Sequence, residues 1–242
     1  MVSSSTGRGT STRVSRDGTF GRGTTVTDEG DLVIRKLTNA DVHATAEVLA
    51  NAFADNPAYV WMHPRAATRA IDLLAFFQRN LRWHLPLDLT WVATRGPSIV
   101  GTSTLEPPGG VPSGAREAIA HWLVPTVRDQ GLRTFLRTAA ASREFGERYR
   151  ALIKGTRYYH VHAVAVAPGF QGNGVGSRLV AATLEECERL LARDAAPVVL
   201  STQRERNLPL YRRAGFVLEE DHQMGVRWGG RGFRTWFMVL ER

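Results

Sequence analysis

Cysteine is nearly missing from this chain: Cys187 is the one instance in 242 residues. No internal disulfide can form, so the sequence is expected to hold its shape by burial in a reducing, cytoplasmic setting. Lysine is almost as scarce, with only Lys36 and Lys154, although the formal net charge is +8. Arginines carry that charge and nowhere gather into the run of like charge that a nucleic-acid arm shows, so no nucleic-acid partner is expected. No apolar run approaches the roughly 18 residues of a membrane span, and the N-terminus lacks the apolar segment of about 7–15 residues that marks a secretory signal. No membrane partner is expected either. Metal-ligand spacing of the familiar Cys/His kinds is absent, and no metal is expected. Apolar residues are sparse through residues 1–30, whose Ser/Thr/Gly/Arg mixture reads as a disordered tail. What remains, residues 31–242 of a chain with 43% hydrophobic content, is enough for one domain with a core.

Hydrophobic periodicity predicts a mixed order of elements. A strand over 31–37 leads through a Thr38/Asp41 capping box into a helix that ends at "FADNPA", where Asn56 and Pro57 break the pattern. A second helix is expected over 65–84, then a hairpin of 89–96 and 98–105 turning at Gly96 and Pro97. Residues 115–150 read as helical. A strand over 158–166, a helix over 174–192 and a strand over 196–202 form a βαβ-like unit, followed by a short helix at 207–214 and two closing strands. The fold class expected is therefore mixed α/β (α+β).

Chemistry concentrates in "HVHAVAVAPGFQGNGVG", residues 160–176. Gly172, Gly174 and Gly176 strip side chains from a strand-to-helix turn, which lets successive backbone N–H groups face an anion at the helix N-terminus. The stretch has neither the Gly-Lys-Ser/Thr ending of a P-loop nor the G-x-G-x-x-G of a dinucleotide site. On a regular strand His160, His162, Val164 and Val166 share one face, which sets the imidazoles just ahead of the glycine turn.

"AVAVAPGFQGNGVGSRLV" resembles the acyl-CoA signature of the GCN5-related N-acetyltransferases (GNAT), with Gln171, Gly174 and Gly176 at the Q/R-x-x-G-x-G/A positions. "NLPLYRRAGF" at 207–216 resembles that family's N-x-x-x-x-Y-x-x-x-G-F segment. The resemblance implies a single-domain, mostly antiparallel central sheet flanked by helices and splayed where acetyl-CoA enters. It implies that Val164, Ala165 and Val166 border the pantetheine arm, and that Gln171, Gly172, Asn173, Gly174, Val175, Gly176 and Ser177 surround the pyrophosphate. Asn207 would sit near the CoA arm, and Tyr211 would protonate the departing thiolate.

The pair His160 and His162 is similar to the histidines of the arylalkylamine N-acetyltransferases, which implies that they act as base, directly or through water. "FADNPA", "LSTQRERNLPLYRRAGF" and "RTWFM" are similar to the puromycin N-acetyltransferases, and antibiotic resistance is then one role among detoxification and biosynthesis. Both resemblances imply a small, aromatic-bearing amine as acceptor. A protein or peptide acetyltransferase and a non-catalytic acyl-CoA sensor are the alternative readings. For the acceptor pocket the sequence offers Phe53, Asp55, Tyr59 and Trp61, then Phe76, Phe77 and Trp83, with Asp55 and Glu106 as charges able to attract a cationic amine.

Overall fold

In the computed structural model the described residues are 31–241 without 113, 193–194 and 229–230, so the expected tail over 1–30 lies outside them. Seven strands form one sheet in the order β1-β2-β3-β4-β5-β7-β6. They are β1 (Leu32–Lys36), β2 (Thr90–Arg95), β3 (Ser98–Glu106), β4 (Tyr159–Val166), β5 (Val198–Thr202), β6 (Phe216–Met224) and β7 (Phe233–Leu240). Every neighbouring pair is antiparallel except β4 and β5. The expected mostly antiparallel sheet with flanking helices is thus present, and its one parallel pair is joined by a helical crossover.

Helices α1 (Val42–Phe53), α2 (Pro57–Met62), α3 (Arg69–His84) and α6 (Leu132–Leu152) cover one face; α7 (Val175–Leu191) and α8 (Leu208–Arg213) cover the other. Between α3 and α6 run α4 (Ala115–Ala118), a π-helical turn (Ile119–Leu123) and α5 (Val124–Gln130). On the first face Ala46, Leu49 and Phe77 meet Val92, Ala163 and Ala165. Leu179, Val180 and Cys187 of α7 pack on Trp91, Val100 and Leu105 on the second. Capping explains two boundaries. Thr38 donates through N and Oγ1 to Asp41 Oδ2 at 2.9 and 2.6 Å before α1. Asn56 Oδ1 accepts from Ala58 N at 2.9 Å before α2.

The first helix ends at "FADNPA" as expected, at Phe53, and Pro57 then opens a further helix, α2, where its missing N–H costs nothing. Two other boundaries differ from expectation. Helix α3 begins at Arg69 rather than near 65. The long helical region 115–150 is divided at Gly131, whose φ of 87° stops α5 before α6 starts.

Two features of β4 shape the space around the histidines. It pairs with β5 only at Tyr159↔Val198 and His160↔Val199, so the sheet splays open beyond them. On its other side Thr104 faces Ala163 while Leu105 faces Val161, which leaves His162 as the extra residue of a β-bulge.

Candidate active site

The bulge changes which way β4 presents its side chains. Tyr159 and Val161 pack in the α7 core, whereas Ala163 and Ala165 pack in the core under α1 and α3. A regular strand would hold all four on one face. The expectation that His160, His162, Val164 and Val166 share a face is therefore corrected. Both histidines meet Glu106 on the α1 side, while Val164 and Val166 pack against the α7 core. One extra residue thus divides the strand into an imidazole-bearing half and a half beside the glycine loop.

Glu106, the last residue of β3, organises the first half. Its Oε2 lies 2.9 Å from His160 Nδ1 and 3.6 Å from His162 Nδ1, and its Oε1 lies 2.7 Å from His84 Nε2. The rings of His84 and His162 stack at 5.3 Å with an interplanar angle of 18°. His84 Nδ1 also lies 2.7 Å from the Asn80 carbonyl, so both nitrogens face acceptors, and both bonds form together only when the ring carries two protons. His160 Nε2 is 3.1 Å from the Tyr149 hydroxyl, and His162 Nε2 is 3.4 Å from Asn80 Nδ2.

Electrostatics reflect this packing. Burial alone would raise the Glu106 carboxyl, but the imidazoles that converge on it, His162, His160 and His84, outweigh it and hold the group well below the usual carboxylate range. Burial pushes His162 down to about 4, with Glu106 opposing, so its imidazole is neutral near pH 7. Burial raises the Tyr211 phenol to about 12.

Glu106, His160, His162 and Tyr211 line a cavity of about 330 Å³, walled by Tyr59 and Phe53 on one side and by Phe145, Tyr149 and Tyr158 on another. A second cleft of about 480 Å³ follows the glycine loop. Val164, Ala165, Val166, Gln171, Gly172, Gly174, Gly176, Ser177 and Asn207 line it, while Asn173 and Val175 do not; Val175 is buried in the α7 core. Gly172 and Gly174 have φ of 83° and 77°, the left-handed region that lets the turn aim its amides outward before α7. Gln171 Nε2 donates to the Val166 carbonyl at 3.0 Å, bracing the loop against the strand end. Beyond His160 the β5-facing edge of β4 has no strand partner among the described residues, so its backbone groups face this cleft. Phe53, Asn56, Val164, Asn207 and Tyr211 border both spaces. Asn207 Nδ2 donates to Thr202 Oγ1 at 3.1 Å.

Other acceptor candidates are dispersed. Phe53 and Tyr59 reach the cavity, ring centroids 5.1 Å apart. Trp61 packs on Phe233, Phe77 is fully buried, and Trp83 stacks on His121; none of these three borders it, nor does Phe76. Asp55 is ion-paired to Arg204 outside it. Sequence reasoning missed His84, Asn80 and Tyr149. Two inward positions of α3 and an aromatic on α6 carry no local signal; only the proximity of Glu106 to two histidines could have drawn attention to them.

The family model for the acetyltransferase (GNAT) domain matches residues 146–218, which span β4, the glycine loop, α7, β5 and α8. Among solved structures, the Corynebacterium glutamicum histone acetyltransferase HPA2 and related acetyltransferase is 21% identical with a TM-score of 0.58, over 86% of this chain and 94% of its own. Arylalkylamine N-acetyltransferase 2 from Aedes aegypti is 11% identical with a TM-score of 0.59, over 87% and 98%. A putative acetyltransferase from Salmonella typhimurium, solved with its cofactor acetyl-CoA, is 20% identical with a TM-score of 0.50, over 87% and 93%. These structures share the fold.

Proposed function

We propose that this chain, an acyltransferase carrying a GNAT acetyltransferase domain, transfers an acetyl group from acetyl-CoA directly to the primary amine of a small, aromatic-bearing molecule. The observation that carries the reading is the shared border of the two spaces: Tyr211 and Val164 touch both the histidine cavity and the glycine-loop cleft. A thioester threaded through the split between β4 and β5 would meet an amine in the cavity.

Acetyl-CoA would lay its pyrophosphate against the amides from Gly172 to Ser177 and its pantetheine arm along Val164, Ala165 and Val166. The amine arrives as an ammonium ion and must lose a proton before it attacks. Ionised Glu106 draws the cation in, and one of the imidazoles beside it, His160 or His162, takes the proton directly or through water, with the carboxylate offsetting the charge it gains. The amine nitrogen then forms its bond to the thioester carbonyl. Collapse of that adduct breaks the C–S bond, and the thiolate takes its proton from Tyr211, whose phenol is fully protonated at neutral pH. The acylated nitrogen gives up its second proton to restore the phenol, and the imidazole releases the first to solvent.

A cavity of about 330 Å³ walled by aromatic rings suits a small acceptor better than an extended peptide. The test is release of the CoA thiol from acetyl-CoA by purified protein against arylalkylamines, aminoglycosides and short peptides. Release with arylalkylamines is expected; release with peptides alone would overturn the choice of acceptor.

A further inference from the structure

We infer that Glu106, His160 and His162 also form a binding site for a divalent transition metal of the zinc type. One donor atom from each lies within 4.8 Å of the other two. Both Nδ1 atoms face the same carboxylate oxygen, at 2.9 and 3.6 Å. Bonds of about 2.0–2.1 Å in a tetrahedral zinc site separate ligand atoms by about 3.4 Å, so these two edges already bracket the requirement and rotation of an imidazole closes the third.

The surroundings carry the inference further than the triangle does. Metal-bound imidazoles and carboxylates need partners on the atoms that do not bind, to fix orientation and tautomer. All three have them here. His160 Nε2 meets the Tyr149 hydroxyl at 3.1 Å, His162 Nε2 meets the Asn80 amide at 3.4 Å, and Glu106 Oε1 meets His84 at 2.7 Å. With the Asn80 amide turned, its oxygen accepts from His162 Nε2–H, and Tyr149 can accept from His160 in the same way. Two nitrogens and one carboxylate oxygen suit Zn²⁺, Co²⁺ or Ni²⁺ rather than the all-oxygen preference of Mg²⁺ or Ca²⁺. The fourth position opens into the cavity, where water would complete the shell.

Sequence spacing carries no sign of this and leads to the opposite expectation. Glu106 stands 54 residues from His160, and it is the pairing of β3 with β4 that sets its carboxylate beside both imidazoles. A metal there occupies the nitrogen lone pairs that an amine's proton requires. Resting on the proposed reaction, its effect is inhibition competitive with the amine and not with acetyl-CoA.

The test is titration of chelator-treated protein with Co²⁺, followed by visible absorption and independent of activity. Saturable binding of one Co²⁺ per chain with tetrahedral intensity, displaced by Zn²⁺, is expected. His162→Gln and Glu106→Gln, each checked for native circular dichroism, remove a donor atom and should weaken binding by at least the roughly 100-fold that loss of an outer-shell partner can cost. His43→Gln, on exposed α1 surface, should not. In the thiol-release assay Zn²⁺ should raise the amine KM and leave the acetyl-CoA KM unchanged. Absence of a saturable Co²⁺ signal, or binding that survives both site substitutions, would overturn the metal site while leaving the acetyl-transfer reading intact.

Discussion

Glu106 and His160 face each other across the β3–β4 ladder, and the carboxylate oxygen of one lies 2.9 Å from the ring nitrogen of the other. The same carboxylate reaches His84 and His162. Three imidazoles converge on one carboxylate, so its removal is felt by all of them.

Glu106→Gln keeps the size of the side chain but removes the charge. The amine kcat/KM should fall by about 100-fold, in the range that a positioned acid–base group contributes. Acetyl-CoA affinity should stay within about 2-fold, because Glu106 borders the cavity and not the glycine-loop cleft. Steady-state kinetics with each substrate varied in turn, beside calorimetric binding of acetyl-CoA, separates the two effects.

Tyr211→Phe removes one oxygen from a side chain that is otherwise packed in the α7 core. Turnover should fall by about 100-fold or more while thermal stability and acetyl-CoA binding hold. Turnover equal to that of the unmodified protein would take Tyr211 out of the reaction.

Gly174→Ala tests the loop. A Cβ at this position meets no atom within 4 Å, so crowding is not the issue, but φ of 77° is strained for any L side chain. Placing alanine in the left-handed region costs about 1–2 kcal/mol. Relaxation of the turn should raise the acetyl-CoA KM by about 10-fold and leave turnover at saturation nearly unchanged, which a full acetyl-CoA saturation curve would reveal.

His63 predicts a pH effect that lies outside the cavity. Its ring is 1% exposed, neither nitrogen has a hydrogen-bond partner among the described residues, and burial pushes its pKa down to about 4. In the unfolded chain the ring protonates near 6.5. Unfolding therefore takes up a proton between about pH 4 and 6.5, and stability falls as the pH drops through that window. His63→Phe, beside the Phe76 ring at 5.9 Å, should flatten this slope and leave the protein more stable at pH 5 than the parent. Urea denaturation at pH 5 and pH 7 measures it; parallel slopes for both proteins would contradict it.

Much of the glycine loop and of α8 could be read directly from the chain, because local chemistry writes them: a left-handed turn needs Gly172 and Gly174, and α8 needs a short amphipathic stretch around Tyr211. The strand β4 itself was legible too, from its run of alternating small and branched residues. Its bulge was not. A bulge is set by register against β3, and nothing in "HVHAVAV" marks which residue is extra. Glu106, His84 and Tyr149 are brought together by three elements distant in sequence, so each alone looks like an ordinary residue of its strand or helix. Asn56 and Pro57 were legible as the end of α1 but not as the start of α2. The pair that ends α1 also caps and opens α2, and punctuation residues do not say whether a helix comes next.

The most direct test of acetyl transfer by direct attack is mass spectrometry of the protein and of the small molecules after incubation with acetyl-CoA, with and without an arylalkylamine. The predicted result is an acetylated amine formed only when both substrates are present, with the protein mass unchanged throughout. An acetyl group on the protein in the absence of amine, or an amine that stays unmodified while acetyl-CoA binds, would contradict it.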